Sequence, residues 1–408
     1  MKILKRSKRI VSVLMSICLL GLVLTACGRG ETEEIKPLPI PEPVVVATPT
    51  PEPDNEIHIE PEPEIIFSDE NMLNGVPIIG VREVVDGMYQ SYLTGEWKDV
   101  EVAKRRAMAL VMPNNNAALP KWGISRADIV FESPVEGRTS RLVAYFEDYD
   151  DLEMLGPARS ARDYHVYDAI GKRAIFAHWG LAVAYSADLI NGDKTDNVSQ
   201  QLGGITRGAP EAFFRRTRPG YRQEFTGYLD IAGYTRAVER LGYDKNYPAD
   251  FVPQFTFAAD GTFVEYENYP VATIIRPGGT TSNASGYGDG KSSFEYNEQD
   301  RLYYRYQFGG KHTDEMNDAH LTYTNVVFQY ALGEKRDAND YLIFGLHGTG
   351  RAKIFTNGRV IEGTWKRLGG DHKPAKFYDM DDNEIVFNIG KTWICLIWET
   401  YAEFAVYE

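Results

Sequence analysis

The stretch that most constrains the fold is residues 156–162, with the sequence G-P-A-R-S-A-R, because it predicts a turn that runs directly into a helix. Gly and Pro favour the turn, and Ser160 followed three residues later by Asp163 resembles a helix cap. The helix is expected to continue to about Lys172, and the apolar residues 175–178 predict a buried strand after it. This order of elements favours an α/β layer.

The same turn carries chemistry suited to anions. A helix N-terminus offers free backbone N–H groups and a positive potential, and Arg159 and Arg162 add planar donors that fit carboxylate or phosphate. Two interpretations stay open at this point. Either Arg159, Ser160 and Arg162 bind a ligand, or the arginines form an internal clamp with Glu132 or Glu136.

Two predicted strands precede the turn, at residues 129–132 and 141–146, and Pro134 and Gly137 are expected to break the chain between them. This connection brings Glu132, Glu136 and Arg141 together, either as a salt-bridged turn or as part of the site. The predicted strand 175–178 ends in His178, which we add to the ligand-binding candidates. A further strand is predicted at 107–112.

A second group of arginines follows the turn and either lines the same cleft or forms an exposed loop: Arg207, Arg215, Arg216, Arg218 and Arg222. After it, Thr226 is expected to cap a helix that ends at about Leu241.

From about residue 250 the sequence alternates aromatic and polar residues with frequent turn signals, which predicts a mostly β domain. Residues 354–361 predict a hairpin, because the Asn357-Gly358 pair suits a type I′ turn. Residues 312–320 contain potential metal ligands, but their spacing matches no defined site, so we predict a polar loop, no metal and no cofactor. Cys395 lies in an apolar run and is expected to be buried.

The amino terminus is typical of a secreted, lipid-anchored protein. Residues 1–27 contain five basic and no acidic residues, then an apolar stretch that ends at Cys27. This order predicts a lipoprotein signal peptide with lipidation of Cys27, which would attach the chain to the extracytoplasmic face of the cell membrane. Residues 28–74 are rich in Pro and Glu and predict a disordered linker. The formal net charge of −14 argues against nucleic acid as a partner.

These patterns predict an α+β protein in which an N-terminal α/β domain, residues 75–248, is followed by a mostly β C-terminal domain, residues 249–408. Several of its motifs resemble the YerB-like bacterial lipoproteins, a two-domain family of unknown function. The first domain of that family is similar to this chain at residues 127–132, 135–137, Arg141, 156–162 and His178. The second is similar at residues 304–305, His312, Asp314, 325–327, 357–358 and 363–365.

The resemblance has one departure. Where the family tends to have a Pro-His-Asn segment, residues 225–228 of this chain read F-T-G-Y, so the resemblance supplies no catalytic histidine there. The family implies an architecture and no activity.

The expected function is that of a binding or scaffolding protein of the cell envelope with an arginine-lined anion site. Its partners would be the membrane, through the anchor at Cys27, and an anionic cell-wall component or an envelope protein. The sequence lacks G-x-S-x-G and H-E-x-x-H motifs, which favours binding over catalysis. The alternative is an envelope-polymer hydrolase that uses Glu132 and Glu136 as its acid and base.

Overall fold

Strands form most of the regular structure in the computed structural model, which describes residues 71–200 and 208–408. The strands of the amino-terminal half are β1 (Met72–Leu73), β2 (Val76–Pro77), β3 (Met88–Gln90), β4 (Trp97–Asp99), β5 (Met108–Asn114), β6 (Ile129–Val135), β7 (Thr139–Phe146), β8 (Met154–Leu155), β9 (Ile175–His178), β10 (Asn197–Ser199), β11 (Phe213–Arg215) and β12 (Gly227–Asp230). The helices of this half are α1 (Val100–Ala103), α2 (Asp163–Gly171), α3 (Val183–Asn191) and α4 (Ile231–Leu241).

The carboxyl-terminal half is mostly β, as predicted. Its strands are β13 (Thr256–Phe257), β14 (Ile274–Arg276), β15 (Ser293–Asn297), β16 (Leu302–Gln307), β17 (Gly310–Lys311), β18 (Thr322–Tyr323), β19 (Asn325–Ala331), β20 (Gly333–Lys335), β21 (Leu342–Phe344), β22 (Gly348–Thr356), β23 (Arg359–Arg367), β24 (Lys376–Asp379), β25 (Val386–Phe387), β26 (Thr392–Trp398) and β27 (Val406–Tyr407). The predicted hairpin is confirmed: β22 and β23 pair around Asn357 and Gly358, which both have positive φ.

A ten-stranded mixed sheet runs through both halves in the order β10-β9-β5-β7-β6-β26-β19-β22-β23-β24. The halves meet where β26 pairs in parallel with β6. A second sheet contains β14 to β18 and β27, and β8, β11 and β12 form a third. The described residues belong to one compact unit, and the boundary expected between 248 and 249 stays a prediction.

The central strands are buried on both faces, which explains their continuous apolar sequences. Alternation along each strand sends side chains to two separate cores. Val130 and Leu142 belong to one core, and Phe131 and Val143 belong to the other, with Tyr164 of α2. Cys395 is fully buried, so this prediction is confirmed.

The predicted strand 129–132 is too short, because β6 continues through Pro134 to Val135. Strand β26 pairs with β6 only as far as Glu132, so the missing N–H of Pro134 breaks no ladder on that side. The strands predicted at 107–112, 141–146 and 175–178 correspond to β5, β7 and β9.

Two predicted helix starts are wrong. Helix α2 begins after Arg162, and the backbone N–H of Arg162 donates to His165 Nδ1 at 3.1 Å, so Ser160 is not the cap. Thr226 caps no helix either. Residues 227–230 form β12, and α4 starts after Asp230, whose Oδ1 accepts from the Gly233 N–H at 2.5 Å. Capping patterns are short, so tertiary pairing of the chain can override them.

No helix within residues 71–200 and 208–408 is both long and apolar enough to cross a membrane.

Candidate functional site

The turn at 156–162 is held by backbone hydrogen bonds to three separate elements. Ala158 N–H donates to Gly227 O, Arg159 N–H to Val111 O, and Ala161 N–H to Gly180 O, each at 2.8 Å. Val111 lies on β5, and Gly180 follows β9, which runs parallel to β5. The turn therefore lies beside the middle of β5 and the carboxyl end of β9, and the carboxyl ends of parallel strands are where α/β sheets commonly bind ligands.

Three arginines surround Ser160, and we call Arg141, Arg159 and Arg162 the arginine cluster. Arg141 projects from β7 and donates from Nη1 to the Ser160 carbonyl at 2.5 Å. Its side chain is buried and makes no ion pair with a described carboxylate, and its Nε has no hydrogen-bond partner there. Burial, with the nearby charges of Arg162 and Arg159, lowers the pKa of Arg141 to about 9.

Arg162 makes the internal clamp that the sequence left open, and its partner is Glu136. Nε donates to Glu136 Oε1 at 2.9 Å and Nη2 to Oε2 at 2.6 Å, which is a bidentate pair. Burial alone lowers the pKa of Arg162, but the hydrogen bonds and charge of Glu136 outweigh it and raise the pKa.

Arg159 is the most accessible member of the arginine cluster, with a side chain that is 23% exposed. Its Nη2 donates to Glu224 Oε2 at 2.8 Å, and its guanidinium lies 5.4 Å from the Phe225 ring centre. Glu224 is also 3.8 Å from Arg222, which is 81% exposed. Exposed pairs of this kind are weak, so a ligand anion can compete with Glu224 for Arg159.

The other arginines of the second group mostly support the local structure. Arg215 donates to Gln223 O at 2.6 Å and stacks on Trp179. Arg216 and Arg218 both pair with Glu315, at 2.8 and 3.3 Å. Arg207 lies outside the described residues. Arg222 is the member of this group that lies near the arginine cluster in the described part of the chain, because Glu224 contacts both Arg222 and Arg159.

Glu132 lies on the other face of the sheet from the arginine cluster. In the pairing of β6 with β7, Ser133 is opposite Arg141, and Glu132 is opposite Leu142. Successive side chains alternate between faces, so Arg141 shares a face with Ser133 and not with Glu132. Helix α2 covers that face, because His165 Nε2 lies 3.0 Å from Ser133 Oγ.

Glu132 is completely buried and pairs with Arg305 of the carboxyl-terminal half at 2.9 Å. Its Oε2 also accepts from Trp393 Nε1 at 2.9 Å, and its Oε1 accepts from Asn114 Nδ2 at 2.8 Å and Ser140 Oγ at 2.5 Å. These contacts satisfy both carboxylate oxygens. Glu132 and Glu136 belong to different ion pairs and do not share a cleft, so their arrangement does not support an acid and a base that act on one substrate.

Lys121 extends this network, and we call Asn114, Lys121, Glu132, Arg305 and His312 the buried ionic cluster. Lys121 is fully buried, donates to Asn114 Oδ1 at 3.0 Å, and lies 3.2 Å from His312 Nε2. Sequence reasoning missed Lys121, since a single lysine next to a tryptophan carries no pattern. Arg305 is part of a motif that resembles the family, but the sequence did not indicate that Glu132 is its partner.

His178 is close to the turn but buried. Its Nδ1 donates to Gly180 O at 2.8 Å, and Gly180 O also accepts from the Ala161 N–H. Burial lowers the pKa of His178 to about 4, so the imidazole is neutral at physiological pH. Ser160 Oγ donates to Trp179 O at 3.4 Å. His178 therefore supports the backbone behind the turn.

The segment 312–320 is a structured loop. Asp314 is buried and accepts from the backbone N–H groups of Gly123, Ser125 and Met316 at 2.7 to 2.9 Å. His320 Nε2 donates to Arg305 O at 2.7 Å. Among the residues that the structure describes, no group of three or more His, Cys, Asp or Glu side chains is arranged to hold a metal ion.

The signal peptide, Cys27 and most of the Pro/Glu-rich segment 28–74 lie outside the described residues, so their predicted roles stay predictions.

Comparisons with known proteins match both halves of the chain. The N-terminal domain of DUF3048, described as a protein of unknown function, matches residues 93–244, and its C-terminal domain matches residues 283–394. A relative named "Putative lipoprotein YerB", from Bacillus subtilis (strain 168), is 28% identical over 307 residues, which is 75% of this chain and 85% of the relative. The crystal structure of the YerB protein from Bacillus subtilis has the same fold. It matches with a TM-score of 0.60 at 24% identity and covers 75% of this chain and 96% of that one.

Proposed function

We propose that this chain, which belongs to the DUF3048 family of unknown function, is a lipid-anchored envelope protein that binds an anion at the arginine cluster. The amino-terminal pattern ending at Cys27 and the lipoprotein name of the relative support the anchor. In this proposal the body of the protein faces the extracytoplasmic side and acts in binding or scaffolding. The ligand is a phosphate- or carboxylate-bearing component of the cell wall.

The observation that carries the anion site is the buried charge of Arg141, which makes no ion pair with any carboxylate that the structure describes. A buried cation without a counter-ion is costly, and two further arginines beside it increase that cost. An anion bound beside Ser160 and Arg159 would offset the repulsion within the arginine cluster. The N-terminus of α2, which follows Arg162, adds a favourable potential.

Arg159→Gln tests this site, because Arg159 is exposed enough to be replaced without disturbing the core. We expect the variant to bind a glycerol-phosphate oligomer about tenfold more weakly than the wild-type chain, since one charge-assisted contact is lost. Isothermal titration calorimetry of the full-length chain in detergent measures this. Arg240→Gln is the matched control, because Arg240 forms a comparable exposed pair with Glu211 at 2.7 Å.

Three outcomes would contradict the anion site. The wild-type chain could bind neither the oligomer, nor inorganic phosphate, nor a carboxylate polymer. Arg159→Gln could bind as tightly as the wild type, or Arg240→Gln could lose the same affinity, which would indicate a nonspecific charge effect.

Arg141→Met separates binding from stability. Methionine fills similar space without a buried charge, so we expect the free energy of unfolding to rise by about 1 kcal/mol while anion affinity falls. Urea denaturation without ligand and calorimetry with it measure the two effects. A variant that is less stable than wild type by more than about 1 kcal/mol would indicate that the hydrogen bond to Ser160 O stabilises the fold by more than the buried charge of Arg141 destabilises it.

A further inference from the structure

A second candidate site lies in the carboxyl-terminal half and is independent of the arginine cluster. Two open cavities of about 580 and 600 Å³ lie on either side of the segment 265–267, and Glu265 and Glu267 line both. Each volume is within the range of about 300–1,000 Å³ that is usual for small-molecule sites. The two cavities share Glu265 and Glu267 in their walls, and we call the pair the tyrosine groove after Tyr266, Tyr269 and Tyr296.

The tyrosine rings are half-buried and held in place. Tyr266 packs edge-on against Tyr269, with ring centres 5.6 Å apart, and its hydroxyl donates to Val386 O at 2.5 Å. Tyr296 donates to Asn357 Oδ1 at 2.7 Å, and Asn357 Nδ2 donates to the Glu265 carboxylate at 2.7 Å. The rings are therefore oriented before any ligand binds, which lowers the entropic cost of binding.

The backbone of the groove contains an unusual conformation. Tyr266 has φ of 53°, a left-handed value that a bulky side chain rarely adopts. Such a conformation is strained and persists only where surrounding contacts hold it. Here the strained residue places its ring in the wall of the groove.

Five carboxylates and two arginines line the two cavities, which disfavours an anionic ligand, and three of the carboxylates already have partners, which weakens the case for a polycation. Among the carboxylates that line the first cavity, Glu384 pairs with Lys376 at 2.7 Å, and Asp379 accepts from backbone N–H groups of its own turn. Glu265 pairs with Arg301 at 3.3 Å. Glu267, Asn268 and the Tyr269 hydroxyl have no hydrogen-bond partner among the described residues, so they are available to a ligand.

From this arrangement we propose that the tyrosine groove binds an uncharged saccharide. Sugar hydroxyls would donate to Glu267 and to the Asn268 carbonyl, and the Asn268 amide and Tyr269 hydroxyl would donate to sugar oxygens. The apolar C–H face of a pyranose ring would pack on Tyr269 or Tyr296, as aromatic side chains combine apolar area with a polar edge. Two adjacent cavities suit a chain of sugars better than a single one.

The experiment titrates full-length protein in detergent with uncharged hexasaccharides of N-acetylglucosamine, glucose, mannose and galactose, using calorimetry. At least one should bind, and Tyr269→Ala should weaken that binding about tenfold, the equivalent of one lost ring contact. Glu267→Gln should also weaken it. Tyr304→Ala is the matched control, because Tyr304 is a half-buried tyrosine that does not line either cavity, and it should bind as wild type does.

Each contrary outcome overturns the proposal. Binding of none of the four saccharides excludes the ligand class, and unchanged binding by Tyr269→Ala excludes the groove. If a lysine-rich peptide binds in a Glu267-dependent manner while the saccharides do not, the groove is a peptide site. Arg159→Gln should leave saccharide binding unchanged, which separates failure here from failure of the anion site.

Discussion

Arg305→Met is expected to destabilise the protein by about 3–5 kcal/mol, because it leaves the buried Glu132 carboxylate without its counter-ion. Arg305 has no exposed surface and also donates to Tyr306 O at 3.1 Å and Ser292 Oγ at 3.2 Å. Its guanidinium lies between two aromatic rings, 4.6 Å from the Phe294 centre and 4.8 Å from the Trp393 centre. Methionine recovers part of this packing and none of the charge.

A double variant distinguishes the loss of the pair from a simple loss of packing. With Glu132→Gln added, the buried group is neutral but still accepts hydrogen bonds, so the double variant should be more stable than Arg305→Met alone. Urea denaturation with linear extrapolation measures all three chains. Lys335→Met, which breaks an exposed pair with Asp340, is the control and should cost less than about 1 kcal/mol.

If Arg305→Met stays within about 1 kcal/mol of the wild type, the Glu132–Arg305 pair does not stabilise the junction between the halves.

Lys121→Met is expected to stabilise the protein at neutral and acidic pH, by on the order of 2–4 kcal/mol, because Lys121 is a buried charge that contacts no carboxylate among the described residues. Burial is the main cause that lowers the pKa of Lys121 to about 7, and the charges of Arg305 and Arg218 add to it, although Glu132 and Asp314 act in the opposite direction. Asn114 Oδ1 loses the lysine but still accepts from Gln307 Nε2 at 3.0 Å. The substitution therefore leaves that acceptor satisfied.

The direction of the pH dependence follows from the two states of the lysine. Its pKa is about 7 when folded and about 10.4 when unfolded, so unfolding takes up a proton between these values. The contribution of Lys121 to the free energy of unfolding therefore rises with pH across that window and is most unfavourable below pH 7. The advantage of Lys121→Met should be largest near pH 6 and should shrink towards pH 10.

Urea denaturation of both chains at pH 6, 8 and 10 measures this difference. Lys311→Met, at an exposed position, should show no such trend. A constant difference between Lys121→Met and the wild type at all three pH values would mean that Lys121 keeps its ordinary pKa in the folded chain.

The sequence was informative wherever a local pattern matched a local structure. The apolar runs of β5, β7 and β9, the Asn357-Gly358 hairpin and the burial of Cys395 were all predicted, because hydrophobic periodicity and turn chemistry act over a few residues. The helix starts at Ser160 and Thr226 were wrong for a related reason. A capping pattern is a weak preference, and pairing with distant backbone, such as β8 with β12, overrides it.

For the candidate site, the sequence left open whether Arg162 binds a ligand or clamps Glu132 or Glu136. In the structure Arg162 pairs with Glu136, and the ligand-binding role of the site stays a prediction. The sequence grouped Glu132 with this site because the two glutamates are four residues apart. Strand alternation instead places Glu132 on the opposite face, where an arginine 173 positions later is its partner.

The sequence by itself was enough to recognise the lipoprotein-type pattern that ends at Cys27, the family, the mostly β second half and the arginine-rich turn. Each of these depends on composition or on residues close together in the chain. Only the tertiary structure decided that β26 inserts beside β6, that Glu132 belongs to a buried ionic cluster, and that Arg141 has no counter-ion within residues 71–200 and 208–408. These features depend on contacts between residues that are not neighbours in sequence, and the first two arise where the two halves pack. The tyrosine groove belongs to the same class, because its walls come from segments more than 100 residues apart.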